Sequence, residues 1–165
     1  MISTLLTIPS KSKAMINLEQ LKEDLIRDEG VRLQPYRDTT GNVTWGIGRN
    51  LSAKPLKTHE AETLLRRARL SIEDAKWVLD NDIADTVYEL HTNLPWVQHL
   101  PENKQRALAN MVFNLGIAGL LKFKPTLTLM REGRWTEAVG RLKKSLWAKQ
   151  VGKRADRVCE LLLEA

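Results

Sequence analysis

Within residues 27–48, RDEGVRLQPYRDTTGNVTWGIG, two carboxylates and a hydroxyl stand at fixed intervals: Glu29, Asp38 nine residues on, and Thr44 six further. An acid that gives up a proton, a carboxylate that takes one from water, and a hydroxyl able to hold that water are the parts of an inverting glycosidase. Each residue also has a plainer role. A glutamate at a helix end often only pairs with a nearby cation, and an aspartate opening a turn often only bonds backbone amides. The surroundings favour the chemical reading. Glu29 falls on the helical stripe of Leu18, Leu21 and Leu25, where the next buried leucine would stand. Burial and the negative end of the helix both oppose its charge, which suits a proton donor. Asp24 and Asp28 lie off this stripe and are expected to be solvated.

Two elements must position these groups. Residues 17–30, NLEQLKEDLIRDEG, read as a helix with Asn17 as N-cap, Gln20 completing a capping box, and Gly30 as the stop. After Pro35, the β-branched and aromatic residues on either side of a Thr-Gly-Asn turn read as a β-hairpin. In its second strand Val43, Trp45 and Ile47 share a bulky face. Thr44, Gly46 and Gly48 share the other, where missing side chains let a substrate approach the backbone.

From Thr58 more than thirty residues lack proline and glycine, which predicts one long helix or two joined by a slight bend at Asn81. A helix from Pro101 to a stop at Gly116 follows, then helices near Pro125 (ending at Gly133), Trp135 and Lys153. The fold class is α+β and mostly α-helical: a small N-terminal lobe with a hairpin, a long connecting helix, and a larger helical lobe. Residues 1–15 are expected to be an extension. Residues 16–165 are read as one domain, with lobes about 16–57 and 58–165.

The 165-residue chain carries 26 Lys and Arg against 20 Asp and Glu, a net charge of +6. Such a charge attracts polyanions without choosing among them. The single cysteine, Cys159, excludes an internal disulfide and reads as a packed thiol. His59, His91 and His99 form no metal-like cluster, so no metal and no cofactor are expected. The N-terminus lacks a secretory signal pattern, and no stretch is long and apolar enough for a membrane span.

The segment DEGVRLQPYRDTTGNVTWGIG resembles the N-terminal motif of the phage-type lysozymes, with the family spacing Glu-x8-Asp-x5-Thr. The resemblance continues in RALANMVFNLG, GRWTEAVGRLKKSLW and GKRADRV, and covers roughly residues 16–160. It implies a lysozyme-like fold with Glu29 as general acid, Asp38 as the base that activates water, and Thr44 as the residue that positions it. Arg154 matches an arginine that pairs with the catalytic glutamate across the cleft. Phe113 and Asn114 fall beside the sugar-binding cleft, with a core aromatic as the plainer reading of Phe113. Thr126 falls where a hydroxyl touches the glycan. Three departures stand out: Arg49 replaces a structural histidine, Asn50 a commonly apolar lining residue, and Arg141 a neutral polar one.

The resemblance further implies a muramidase that cleaves the β-1,4 bond between N-acetylmuramic acid and N-acetylglucosamine in peptidoglycan. It also implies an endolysin setting: a monomer made in the host cytoplasm that reaches the wall through a membrane hole formed by a holin, which enters only indirectly. The positive charge would help it hold anionic wall or an anionic outer-membrane surface. Two alternatives come from other classes. One is a nucleic-acid-binding protein using basic runs such as RLKKSLW and KQVGKRADR, although no DNA-binding motif accompanies them. The other is membrane disruption by the basic, one-sided segment RLKKSLWAKQVGKR.

Overall fold

A computed structural model describes residues 12–165. Helix α1 (Leu18–Glu29) leads into a small antiparallel sheet of β1 (Arg32–Arg37), β2 (Val43–Gly46) and β3 (Arg49–Asn50), in that order. Seven helices follow: α2 (Thr58–Leu64), α3 (Ile72–Asn93), α4 (Glu102–Leu121), α5 (Lys124–Arg131), α6 (Trp135–Lys143), α7 (Leu146–Val151) and α8 (Lys153–Leu163). A 3-10 turn, Pro95–His99, joins α3 to α4. The α+β reading holds: a small sheet beside a larger helical body, with the long α3 packed against both β2 and α4.

Helix α1 starts as expected, Asn17 accepting a hydrogen bond from the Gln20 amide. The capping box does not form. Gln20 turns its side chain forward to Asp24, and Glu102 of α4 takes the Asn17 N–H instead, at 3.1 Å. The helix therefore docks on the helical body from its first residue. Ala14 is also tied there, through bonds to Gln98 and Gln105. Residues 1–11 of the expected extension lie outside the described residues.

The long helix expected from Thr58 is two helices, and the break is not at Asn81. It falls at residues 65–71, where Ser71 caps α3: the Asp74 amide donates to Ser71 Oγ, and the Ser71 amide donates to Asp74 Oδ2. That reciprocal pair is a helix start written in the sequence as Ser-x-x-Asp. Asn81 lies mid-helix, its side chain donating to Glu60. Gly116 interrupts α4 at φ 73°, but the helix resumes to Leu121. Helix α7, not anticipated as a separate element, begins where the Ser145 hydroxyl accepts the Ala148 amide.

The bulky face of the sheet packs inward as expected, with Trp45 and Ile47 each 2% exposed. Burying side chains of this size contributes roughly 1.5–3 kcal/mol apiece. They join Leu21 and Leu25 of α1 and Val78 and Leu79 of α3 in a core that continues through α4 to α8. Arg49, standing where a structural histidine was expected, is itself buried and reaches three walls. Its guanidinium donates to Glu60 of α2 at 2.8 Å, to Asp82 of α3 at 2.9 Å, and to the carbonyl of Pro55. The arginine therefore locks the sheet to α2 and α3.

Candidate active site

Glu29 ends α1, and Gly30 (φ 71°) turns the chain into β1. Its carboxylate meets two features from distant parts of the chain. Arg154 of α8 donates from Nη1 to Oε1 at 2.7 Å. Gly48, in the turn between β2 and β3, faces the other oxygen: a Cβ there would lie 2.7 Å from both Cδ and Oε2. The missing side chain is thus a requirement of Glu29 itself. Gly46 plays a different part from the one expected. Its backbone packs against Ala75 of α3, not the substrate side.

Arg154 is held from behind. Its Nε donates to Asn110 Oδ1 at 2.9 Å, and Asn110 Nδ2 donates to Asp28 Oδ2 at 2.9 Å. Arg157, one turn along α8, donates to Asp28 Oδ1 at 2.6 Å, with Arg27 on the same oxygen. The Asp28 side chain is 1% exposed. Burial pushes its carboxyl up, but Arg27, Asn110, Arg157 and the charge of Arg154 outweigh this and hold it below the ordinary carboxylate range. Asp24 is buried too, with Arg106 at 2.7 Å. The expectation that Asp24 and Asp28 are solvated is therefore wrong. A helix wheel shows the apolar stripe but not the cations that reach beside it: Arg106 of α4 covers Asp24, and Asn110 of α4 with Arg157 of α8 covers Asp28.

Asp38 follows β1 and closes the hairpin turn. The Thr40 hydroxyl and the amides of Thr40 and Asn42 all donate to Oδ1, at 2.7, 2.9 and 2.9 Å. The Thr40 hydroxyl does most to hold this carboxyl below its usual range; desolvation opposes it, and the two amides add to the lowering. Each of these three bonds ends on Oδ1, and the Asn42 side chain also lowers the carboxyl. Thr44 pairs across the ladder with Tyr36. Asp38, two residues beyond Tyr36, shares that face of the sheet with Thr44. Along the hairpin the order is Asp38 at the turn, Thr44 next, and Glu29 against Gly48 at the far end. Thr44 is 8% exposed, and its hydroxyl bonds to no other described residue.

Beside Gly48 a recess of about 390 Å³ separates the sheet from α3 and α4. Asn50, Phe113 and Asn114 line it together. Asn114 is fixed by Trp147 of α7, whose indole N–H donates to its Oδ1 at 2.8 Å. Thr126 is not brought to this recess. It is 4% exposed and borders a separate one with Phe123, Arg141 and Lys144. Sequence reasoning missed Asp28, Asn110 and Trp147. The one signal was the pair Arg154 and Arg157, two cations on one helix face that would need acids opposite.

The sequence model of the phage lysozyme family matches residues 27–160. The chain belongs to the phage lysozyme family. As a member it is a glycoside hydrolase acting on peptidoglycan. It is 34% identical over 157 residues to "Probable T4-type lysozyme 2" of Dictyostelium discoideum, covering 86% of this chain and 92% of that protein. It is 33% identical over 157 residues to "Pre-baseplate central spike protein Gp5" of Enterobacteria phage T4, covering 87% of this chain but 27% of that longer protein. A second Dictyostelium discoideum protein, "Probable T4-type lysozyme 1", is 28% identical over 162 residues. Among the described residues of this lysozyme-family chain, no group of three or more His, Cys, Asp or Glu is arranged to hold a metal.

Proposed function

We propose that this chain is an inverting muramidase that cleaves the β-1,4 bond between N-acetylmuramic acid and N-acetylglucosamine. Glu29 is the general acid. With Oε1 engaged by Arg154, Oε2 carries the proton beside the bare backbone of Gly48, and gives it to the glycosidic oxygen as the bond to the anomeric carbon breaks. Arg154 then stabilises the carboxylate left behind. Asp38 Oδ2 takes a proton from water, whose oxygen forms the new bond to the anomeric carbon from the opposite face. Thr44 holds that water. Phe113 and Asn114 line the recess in which the sugars lie.

The observation that carries this reading is the asymmetry of the two carboxylates. Glu29 is partly buried and held on one oxygen by an arginine, whereas Asp38 sits at the surface, held below the usual range by the Thr40 hydroxyl and the amides of Thr40 and Asn42. The pair has one group placed to donate and one placed to accept.

Two measurements test the finer claims. Borohydride reduction of the cut wall, followed by sugar analysis, identifies which sugar carries the new reducing end; the proposal requires muramic acid. Proton NMR during early turnover reads the anomer formed first, and inversion requires the α product. Glucosamine ends or a β product would overturn the assignment of bond or mechanism.

A further inference from the structure

The positive charge of this chain is concentrated in one region. Residues 122–153 hold nine Lys and Arg and only two acids, Glu132 and Glu137, a net of +7 against +6 for the whole chain. Both acids are taken by Arg134. Among the described residues, none of the other eight cations forms an ion pair. Most other cations around the cleft differ: Arg49, Lys54, Lys57, Arg106, Arg154 and Arg157 are all matched by carboxylates, whereas Arg66 and Arg69 in the loop before α3 form a smaller unmatched pair.

Two recesses gather these unmatched cations. One of about 510 Å³ is lined by Lys143, Lys149 and Lys153, with Asp156 as its single acid. Another of about 410 Å³ is lined by Lys122, Arg141 and Lys144 and contains no carboxylate. Lys143 lines the first and Lys144 the second, so both recesses border the end of α6. Leu146 stands at the same place, 69% exposed.

We propose that this face, formed by the end of α6, α7 and the start of α8, binds an anionic lipid surface. The basic recesses receive headgroup phosphates, and Leu146 enters the boundary between headgroups and acyl chains. The attachment is peripheral. The apolar side of the segment, Val139, Leu142 and Trp147, is at most 4% exposed and belongs to the core, so these helices do not insert as free amphipathic segments. This replaces the sequence-level idea of membrane disruption by the same residues. Leu146 is also what favours lipid over duplex nucleic acid, since an exposed leucine has no counterpart on a phosphate backbone. The proposal does not depend on the catalytic assignments.

The test uses the full chain in co-sedimentation with vesicles of phosphatidylcholine alone and of phosphatidylcholine with an equal part of phosphatidylglycerol, at low and high salt. Three variants accompany the wild type: Lys143→Glu with Lys149→Glu, Leu146→Ser, and a control of equal charge change, Arg66→Glu with Arg69→Glu, in the exposed loop before α3. Circular dichroism confirms that each is folded. Wild type is expected to bind only the phosphatidylglycerol vesicles, and to be released by salt. The lysine pair should weaken binding by at least about tenfold, the control far less, and Leu146→Ser measurably. Equal weakening by the two charge variants would reduce the effect to net charge and overturn the proposal. So would binding indifferent to lipid charge. A lysine-pair variant that loses affinity for duplex DNA more than for vesicles, with Leu146→Ser silent, would make the face a nucleic-acid surface instead.

Discussion

Arg154 and Glu29 stand 125 positions apart and meet at 2.7 Å, the guanidinium of α8 closing on the carboxylate that ends α1. The contact is steered by groups that touch no substrate. Asn110 fixes Arg154 Nε, and Asp28 fixes both Asn110 and Arg157. The orientation of the acid therefore depends on three helices, α1, α4 and α8, packed around one buried aspartate.

Asp28→Asn should expose that dependence. The change leaves Arg27, Arg154 and Arg157 facing a neutral amide, and removing one member of a buried charged set costs about 3–5 kcal/mol. Urea denaturation at neutral pH would show the loss of stability. In the fraction that remains folded, kcat should fall more than KM, because the substrate recess is untouched.

Gly48→Ala should act on the acid directly. The new methyl would occupy space 2.7 Å from Glu29 Cδ and Oε2 and would hold a φ of +69°, strained for alanine by about 1–2 kcal/mol. Misplacing a catalytic group by about 1 Å can cost on the order of a hundredfold in rate. Steady-state kinetics should show a drop of that order, with a modest fall in thermal stability. Gly46→Ala is the companion: its Cβ meets only Ala75, at 3.5 Å, and it should leave Glu29 in place while carrying similar backbone strain.

Thr40→Val addresses the base. The Thr40 hydroxyl does most to hold the Asp38 carboxyl below the usual range. A base must be ionised to accept a proton, so the depressed value extends activity to lower pH. Without that hydroxyl Asp38 keeps its proton to higher pH, and the acid limb of kcat/KM should move upward. The amides of Thr40 and Asn42 remain, so the shift should be partial. An unmoved acid limb would mean that Asp38 does not set it.

The Arg49 cluster makes a separate prediction about stability. Burial pushes the Glu60 carboxyl up, but bonds from Arg49, the Lys57 amide and Asn81 bring it down to about 2 from 4.5. A depressed carboxylate stabilises the fold above its unfolded value and loses that contribution as pH falls through the folded one. Glu60→Gln should therefore be less stable than wild type at neutral pH, by about 3–5 kcal/mol for a broken buried pair. The difference should shrink between pH 4.5 and about 2. Asp82, pushed above the ordinary range by burial despite Lys54 and Arg49, contributes with the opposite sign. The Glu60 charge is one of the causes that raise it, so the same comparison repeated in an Asp82→Asn background isolates Glu60. Denaturation midpoints across that pH range would check it.

Glu29, Asp38 and Thr44 could be singled out as candidates because they lie within sixteen residues on a helix end and a hairpin, where local periodicity reports orientation. Arg154 came from resemblance alone; nothing in its own helix says what lies opposite. Asp28 was misread for the same reason, since the side of α1 it occupies is buried by a helix more than 120 residues away. The break before α3 was written in Ser71 and Asp74 but was masked by the absence of glycine and proline. Thr126 fell in a neighbouring recess because α5 turns its first residues toward α6 and away from Gly48.

If Glu29 supplies the proton for glycosidic cleavage, its amide variant should no longer cut the wall. The most direct measurement is release of new reducing ends from purified peptidoglycan by wild type and Glu29→Gln, with folding of both confirmed by circular dichroism. Steady release by wild type is expected, with a loss of at least about a hundredfold in the variant. Equal release by the two proteins would contradict it.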